Sequence, residues 1–572
     1  MQQTGDDVSV YAGTIITMAA GNFSPEEAMA IKGDTIIAIG TTEAVDAAVS
    51  SMQHTKRDLG TQCIMPGFVE PHVHLLLSSL VGKGSPVIDM SYSAVKKRHK
   101  AVDLIKKSPH YGNPCEWIIG CGYDPSLVEA HEQFKLDDLD CIAPLNPVFI
   151  LNQSGHLAYV NSRAFKWAKI GITNCDANFP ECDPNYEKND SGTALDGVLK
   201  EGAVTTVAKS LPQSPFMIDN LAATLKGWAK NGCTTVFDCG LGSISGSYST
   251  EISWINSKTA GGKFPRLYGA VAIQAITDLQ QFIDSQQPPW DSGSIRVQAV
   301  KFWLDGSTQG FTAAVSKPYL NPPKGWPPCG PLNYPCNDEK HKHDDDEKPT
   351  DDEKTLQGYV TPLVKAGWQM VLHANGSRAV EQGLRVLGKA LAASGDIVKK
   401  PNFLHRLEHV TADITTDQLR AAATMGLAVS HLVAHIRTWG YTFRTWVLGA
   451  ERAARLDPVR DDVDLGVTYS FHSDSPVSEA EPLQYVDTAV TRQMANGCGV
   501  LGKCQTVSLE EGFRGITYNP AKKLGALADI GSLEVGKKAD FVVLGIDPRL
   551  VHEGLLRSQC SVLETWVGGV EI

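Results

Sequence analysis

Two histidines one residue apart end an apolar run in Met65-Pro66-Gly67-Phe68-Val69-Glu70-Pro71-His72-Val73-His74. Positions two apart on a β-strand project to the same side, so His72 and His74 can meet one metal ion. An HxH pair also occurs on ordinary strands, and here its weight comes from residues farther along the chain. Four later strand-like runs carry or end in a residue fit to ligate. They are Lys301 in Val300-Lys301-Phe302-Trp303-Leu304-Asp305-Gly306, His373 in Val371-Leu372-His373-Ala374, His409 after Leu407-Glu408, and Asp474 in Ser470-Phe471-His472-Ser473-Asp474-Ser475-Pro476. Taken singly, His373 and His409 also suit a hydrogen-bonded core, Lys301 a buried ion pair and Asp474 a helix N-cap. Together and in this order they favour a metal site.

Positions hundreds of residues apart converge when each sits at the C-terminal end of a barrel strand. Apolar runs alternate with helical stretches, as in a parallel sheet or barrel. The runs are Cys63 to Val69, Thr234 to Asp238, Arg266 to Val271, Val297 to Leu304, Gln369 to His373, Phe403 to Glu408, Leu427 to His431 and Val467 to Phe471. Eight runs is the number of a (β/α)8 TIM-type barrel. Short strands joined by Gly-Asp turns occupy Val8 to Met18 and Ala28 to Gly40, and the same signature returns in Ile530 to Leu544 and Ser561 to Val567. The expected architecture is an α/β barrel over 65–524 with a small β-sandwich from both chain ends, 1–64 plus 525–572. Residues at about 85–205 fit no single βα unit and read as an insertion after the first barrel strand, expected to cover the barrel mouth.

At 572 residues, 42% hydrophobic and 20% charged, the chain is ordinary for a large globular enzyme, and its 52 glycines suit many short turns. A formal charge of -12 argues against a nucleic-acid partner, which needs clustered Lys and Arg. No run approaches about 18 consecutive apolar residues, and the first residues have no signal-peptide pattern, so a soluble chain without a membrane partner is expected. Thirteen cysteines include three close pairs, Cys175/Cys182, Cys329/Cys336 and Cys498/Cys504. Free thiols in the cytoplasm and disulfides in a periplasmic or secreted protein that has lost a signal peptide fit equally well. The run His341-Lys342-His343-Asp344-Asp345-Asp346-Glu347 has cation-binding groups but reads as a solvated loop.

These motifs, together with Gly120-Cys121-Gly122-Tyr123-Asp124, Gly155-His156-Leu157-Ala158-Tyr159-Val160-Asn161-Ser162, Gly197-Val198-Leu199-Lys200-Glu201 and His435 through Trp439-Gly440 to Val477, resemble the amidohydrolase superfamily over nearly the whole chain. The resemblance is to the metal-dependent branch that includes N-substituted formamide deformylase. It implies His72 and His74 on one metal, His373 and His409 on a second, a carboxylated Lys301 bridging them, and Asp474 as ligand and proton carrier. Two zinc ions per chain are the implied cofactor. Chemistry agrees: a lysine carbamate supplies two hard oxygens, and imidazole suits zinc. The sequence departs from the family pattern at Ser377, where an Asp commonly precedes the Arg. Glu70 stands where relatives often have Asp.

The resemblance further implies a lid-like insertion, making Trp117, Tyr123, Asp124, His156, Trp303, His435 and Trp439, with His431, candidates for substrate contact. The expected activity is hydrolysis of a non-peptide amide-type C–N bond in a small molecule by metal-activated water. Ring deamination at the same kind of site is the alternative enzyme. A non-catalytic barrel scaffold is disfavoured because all six ligand candidates are present. A homodimer is implied by resemblance alone, since the apolar helix faces at Ala164 to Lys169 and Ile218 to Ala229 suit a core equally.

Overall fold

The computed structural model describes residues 8–81, 85–212, 218–334, 351–395 and 403–572. The chain forms two compact units, one of Met1–His74, Ala222–Asp305 and Ala313–Ile572, the other of Leu75–Leu221 with Gly306–Thr312.

In the first unit, eight parallel strands run in sheet order Phe68–Val73, Cys233–Leu241, Arg266–Ala272, Ile295–Trp303, Gln369–Gly376, Arg406–Ala412, Ala428–His431 and Thr468–Phe471. A short strand, Trp290–Ser292, pairs antiparallel with the fourth. First and last strands meet beyond their ends, where Val73 bridges Ser475 and the Asp474 N–H donates to the His72 carbonyl at 3.1 Å. This is a nearly closed TIM-type barrel. Cys233–Leu241 and Gln369–Gly376 are buried at every residue, as parallel strands covered on both faces must be. Inside, Val69, Phe237, Ala299 and Val371 pack against Ala521, Leu524 and Ile530 of the C-terminal segment, which includes the helix Tyr518–Lys523.

The two chain ends share one seven-stranded sheet, in which Phe541–Leu544 pairs antiparallel with His54–Pro66, and His54–Pro66 pairs parallel with Val8–Ile16. Neighbouring strands lie about 4.8 Å apart. Tyr11 and Trp566 nevertheless bring their rings within 6.1 Å across two intervening strands. The Ile36 N–H also reaches the carbonyl of Lys537. The sheet therefore curls on itself, sandwich-like, around Tyr11, Ile31, Ile64 and Phe541, while Val10, Ala28 and Ala30 on its other face meet Val45 and Val49 of the helix Thr42–Val49.

One expected boundary shifts. Cys63 to Pro66 belongs to this end sheet, and the first barrel strand starts at Phe68. Gly67 makes the junction, because a Cβ there would lie 2.2 Å from the Thr234 side chain.

The second unit carries a six-stranded mixed sheet in the order Tyr186–Lys188, Leu195–Lys200, Leu157–Val160, Val148–Asn152, Ile118–Tyr123 and Ile88–Asp89. Its core holds Trp117, Phe149, Val160, Phe165 and Leu199. Cys175, Cys182, Cys498 and Cys504 are free thiols, as is Cys329, whose expected partner Cys336 lies outside the described residues. The run His341 to Glu347 lies outside them too. Among the described residues no helix is long and apolar enough to cross a membrane.

Candidate metal centre

The barrel brings His72, His74, Lys301, His373, His409 and Asp474 from five strand ends into one buried cluster. Asp474 Oδ1 lies 3.2 Å from His72 Nε2 and 3.3 Å from His74 Nε2, and Lys301 Nζ lies 3.2 Å from His72 Nε2. Four ligands about 2.0 Å from a zinc ion stand about 3.3 Å from one another, so these separations suit donors around one cation. Asp474 Oδ1 and His409 Nε2 are buried without a partner in hydrogen-bond geometry. Buried polar atoms are rarely left so, and a cation would satisfy both. The cluster's chemistry and spacing thus fit a divalent metal.

His472 is also in the cluster, its Nε2 3.2 Å from His409 Nδ1, and His72, His409 and His472 form a buried group able to hold an ion. His373 stands beside His409 with ring centroids 4.5 Å apart, its Nδ1 3.0 Å from Asp305 Oδ1 and its Nε2 3.3 Å from Asn375 Nδ2. Asp305 is the organiser on this side. Its carboxylate accepts the backbone N–H groups of Asn375, Gly376 and Ala314 at 2.8–3.0 Å.

Another group, His72, Cys239 and Glu408, has donor atoms close enough to ligate. It already faces a cation: Arg406 Nη2 donates to Cys239 Sγ at 3.3 Å, and Arg406 Nε lies 3.2 Å from Glu408 Oε1. We therefore assign it to support. Glu408 Oε2 sits 2.5 Å from His72 Nδ1. A carboxylate only accepts, so that nitrogen carries a proton and Nε2 is the atom through which His72 can ligate.

Electrostatics point the same way. Burial alone would lower the His72 pKa, yet Cys239, Asp474 and Glu408 raise it to about 10. The negative surroundings that hold a proton there attract a metal cation equally. Burial would raise Asp474, but His72 and His74 hold it well below the usual carboxylate range. Glu408 is likewise held low against burial by Arg406, Lys523 and His72. Burial lowers Lys301 from the ordinary lysine range. Its Nζ stands 5.0 Å from the centre of the Trp303 ring. Three buried residues of the cluster strands, His409, Val410 and Asp474, have φ of 75°, 49° and 54°. Such backbone costs about 1–3 kcal/mol per residue and concentrates at functional sites.

Of the substrate-contact candidates, Trp303, His435 and Trp439 belong to the barrel unit. His435 is buried with its Nδ1 3.3 Å from Thr411 Oγ1 and 3.8 Å from Asp457 Oδ1, and Trp439 packs edge-on to it. His431 is bound to Asp462 at 2.5 Å and to the His409 carbonyl at 3.1 Å, which makes it a brace. Trp117, Tyr123, Asp124 and His156 belong to the second unit. There the Tyr123 hydroxyl donates to the Glu132 carbonyl while its ring packs on Phe134, and Asp124 accepts the Ser126 N–H. His156 pairs with Glu201 at 2.8 Å.

Sequence reasoning missed His472, Glu408, Asp305, Asn375, Arg406 and Lys523. Three of them left a signal: His472 lies two positions before Asp474, Glu408 directly precedes His409, and Asp305 ends the run that holds Lys301.

Similar proteins share this architecture. The chain is 24% identical over 577 residues to N-substituted formamide deformylase from Arthrobacter pascens, covering 99% of this chain and 98% of that protein. An uncharacterised metal-dependent hydrolase from Pyrococcus horikoshii superposes with a TM-score of 0.69 at 20% identity, covering 96% of this chain and 99% of the other. An adenosine deaminase from Xanthomonas campestris, solved with bound zinc, superposes at 0.51 with 12% identity over 99% and 92% of the two chains. The sequence model of the amidohydrolase family matches residues 57–572, nine-tenths of the length, and the chain belongs to that family of hydrolases.

Proposed function

We propose that this hydrolase cleaves a non-peptide amide-type C–N bond, in an N-formyl or N-acyl amine or a carbamate, at a centre of two divalent cations, preferably zinc. The observation that carries the metal reading is the convergence of His72 Nε2, His74 Nε2 and Lys301 Nζ within 3.2–3.3 Å of a neighbouring donor beside the unpartnered Asp474 Oδ1. The bond class draws its support from the name of the Arthrobacter relative, and zinc from the metal bound by the Xanthomonas deaminase.

In this reading His72, His74 and Asp474 hold one cation, His373 and His409 the other, and Lys301 as a carbamate lies between them. Burial supports that role, because a lysine held below its ordinary pKa has more of the free amine that adds carbon dioxide. Bound there, the cations acidify water and polarise the scissile carbonyl. Asp474, ionised and without a hydrogen-bond partner at Oδ1, takes the proton from the attacking water and delivers it to the leaving nitrogen. Trp303 beside Lys301, together with His435 and Trp439, contributes substrate contacts.

The test is metal stoichiometry on protein purified without chelators, beside turnover of a panel of N-formyl and N-acyl amines, for wild type and Lys301→Ala. About two zinc ions per chain, with metal and turnover both lost in the variant, is the expected result. Metal retained by Lys301→Ala rules out the bridged pair, and a wild type without metal or turnover rules out the proposal.

A further inference from the structure

We infer that Lys523 is a positioning residue for the metal centre, acting through Glu408 on His72 and through Ser430 and His472 on His409. The inference rests on the metal-hydrolase reading above. Lys523 comes from the helix Tyr518–Lys523, whose neighbours pack against the barrel interior, and its side chain is fully buried. Nζ donates to Ser470 Oγ at 2.7 Å and to Ser430 Oγ at 3.0 Å, and lies 3.9 Å from Glu408 Oε1. No part of the hydrolytic scheme uses it.

From this ammonium two relays lead to the cluster. In the first, Glu408 Oε1 lies 3.9 Å from Lys523 Nζ and 3.2 Å from Arg406 Nε, and Glu408 Oε2 accepts the Nδ1 proton of His72, which turns His72 Nε2 toward Asp474 and Lys301. The second relay is longer. Ser430 Oγ lies 2.9 Å from His472 Nδ1, and His472 Nε2 lies 3.2 Å from His409 Nδ1. The atom of His409 that faces the cluster without a partner is Nε2. If that atom carries the lone pair, His409 Nδ1 carries the proton and donates to His472 Nε2, and His472 Nδ1–H in turn donates to Ser430.

The hydroxyls can carry this pattern. Ser430 accepts from Lys523 and from His472, and its single proton goes to Ser470 Oγ, 3.1 Å away. Lys523 Nζ donates to both hydroxyls and so fills an acceptor site on each serine. One side chain thereby touches the outer partners of two histidines that belong to different halves of the cluster. In this scheme His472 orients His409 and is not itself a ligand.

Chelator-stripped wild type, Lys523→Met, Ser430→Ala and Glu408→Gln are titrated with zinc against a chromophoric competitor, and the visible spectra of their cobalt(II) forms are recorded. Unfolding of each metal-free protein is measured alongside. Outer partners of metal-bound histidines typically hold about 10- to 100-fold in metal affinity. Lys523→Met is expected to bind zinc more weakly by that factor and to shift the cobalt absorption bands, readouts that a purely packing role would leave in place. A folded Lys523→Met with unchanged affinity and spectrum overturns the inference. Where Lys523→Met does not fold, weaker binding in both Ser430→Ala and Glu408→Gln supports it and unchanged binding in both overturns it. A wild type that takes up no divalent cation overturns the metal reading itself; normal uptake with an unaltered Lys523→Met overturns this inference alone.

Discussion

His72 and His405 are both fully enclosed imidazoles of the same barrel, one at the C-terminal end of the strand Phe68–Val73, the other immediately before the strand Arg406–Ala412. Their environments push them in opposite directions. For His405, burial alone lowers the pKa to about 4. His72 feels the same burial, but Cys239, Asp474 and Glu408 reverse it to about 10. The comparison separates enclosure from electrostatics. Enclosure expels charge from an imidazole, and only the acidic groups near the strand ends, Cys239 with Asp474 and Glu408, make that end of the barrel a place where positive charge is stabilised. A metal ion there would occupy a field the protein has already built.

If that field is what distinguishes the two ends, removing its main carboxylate has the largest effect. Asp474→Asn keeps the shape and removes the charge. It is expected to lower kcat/KM on an N-formyl or N-acyl amine by about 10²- to 10⁴-fold, the range for loss of a positioned proton carrier, and to weaken the cation shared with His72 and His74. Turnover within tenfold of wild type would break the comparison. His373→Ala sharpens it by testing the side where Asp305 and Asn375, rather than Asp474, set the histidine. The expected result is one zinc ion retained per chain, with the other bound about 10- to 100-fold more weakly in direct titration. Loss of both ions would mean that the two sides form a single unit.

Much of this arrangement is legible in the sequence because parallel strands buried on both faces carry apolar runs, as Met370 to Leu372 does within Gln369–Gly376. The second to eighth barrel strands fall on the expected runs, and the first overlaps its own only at Phe68 and Val69. The first boundary is blurred because two buried strands abut with only Gly67 between them. Ile530 to Ala539 looks strand-like, yet Ile530 and Leu533 are buried from turns, and the strand is only Phe541–Leu544. The supporting residues are hidden for a different reason. Neighbours on a strand face opposite sides, so Glu408 reads as pointing away from His409. The positive φ of His409 breaks that alternation, and Glu408 reaches His72 from the same end of the barrel. Lys523 lies some fifty residues beyond the last strand, and no periodicity marks it as a partner of Ser430.

The smallest effect is expected at the other end of the comparison, and it appears in stability. His405 Nδ1 accepts the Met370 N–H at 3.0 Å, so the folded protein keeps that imidazole neutral. Its pKa is about 4 in the folded protein, against 6.5 for an unperturbed imidazole. Between those values the unfolded chain binds a proton that the folded chain refuses, and the unfolding free energy falls as pH falls. The contribution is complete above pH 6.5, declines by about 2 kcal/mol between pH 7 and 5, and is gone once pH drops through the folded value. His405→Gln retains an acceptor for Met370 without a titrating ring. Urea unfolding of the metal-free proteins at pH 7 and 5 should therefore show wild type losing more stability than the variant over that interval. Equal losses would mean that His405 takes up its proton in the folded state, and that enclosure alone does not decide the charge of a histidine in this barrel.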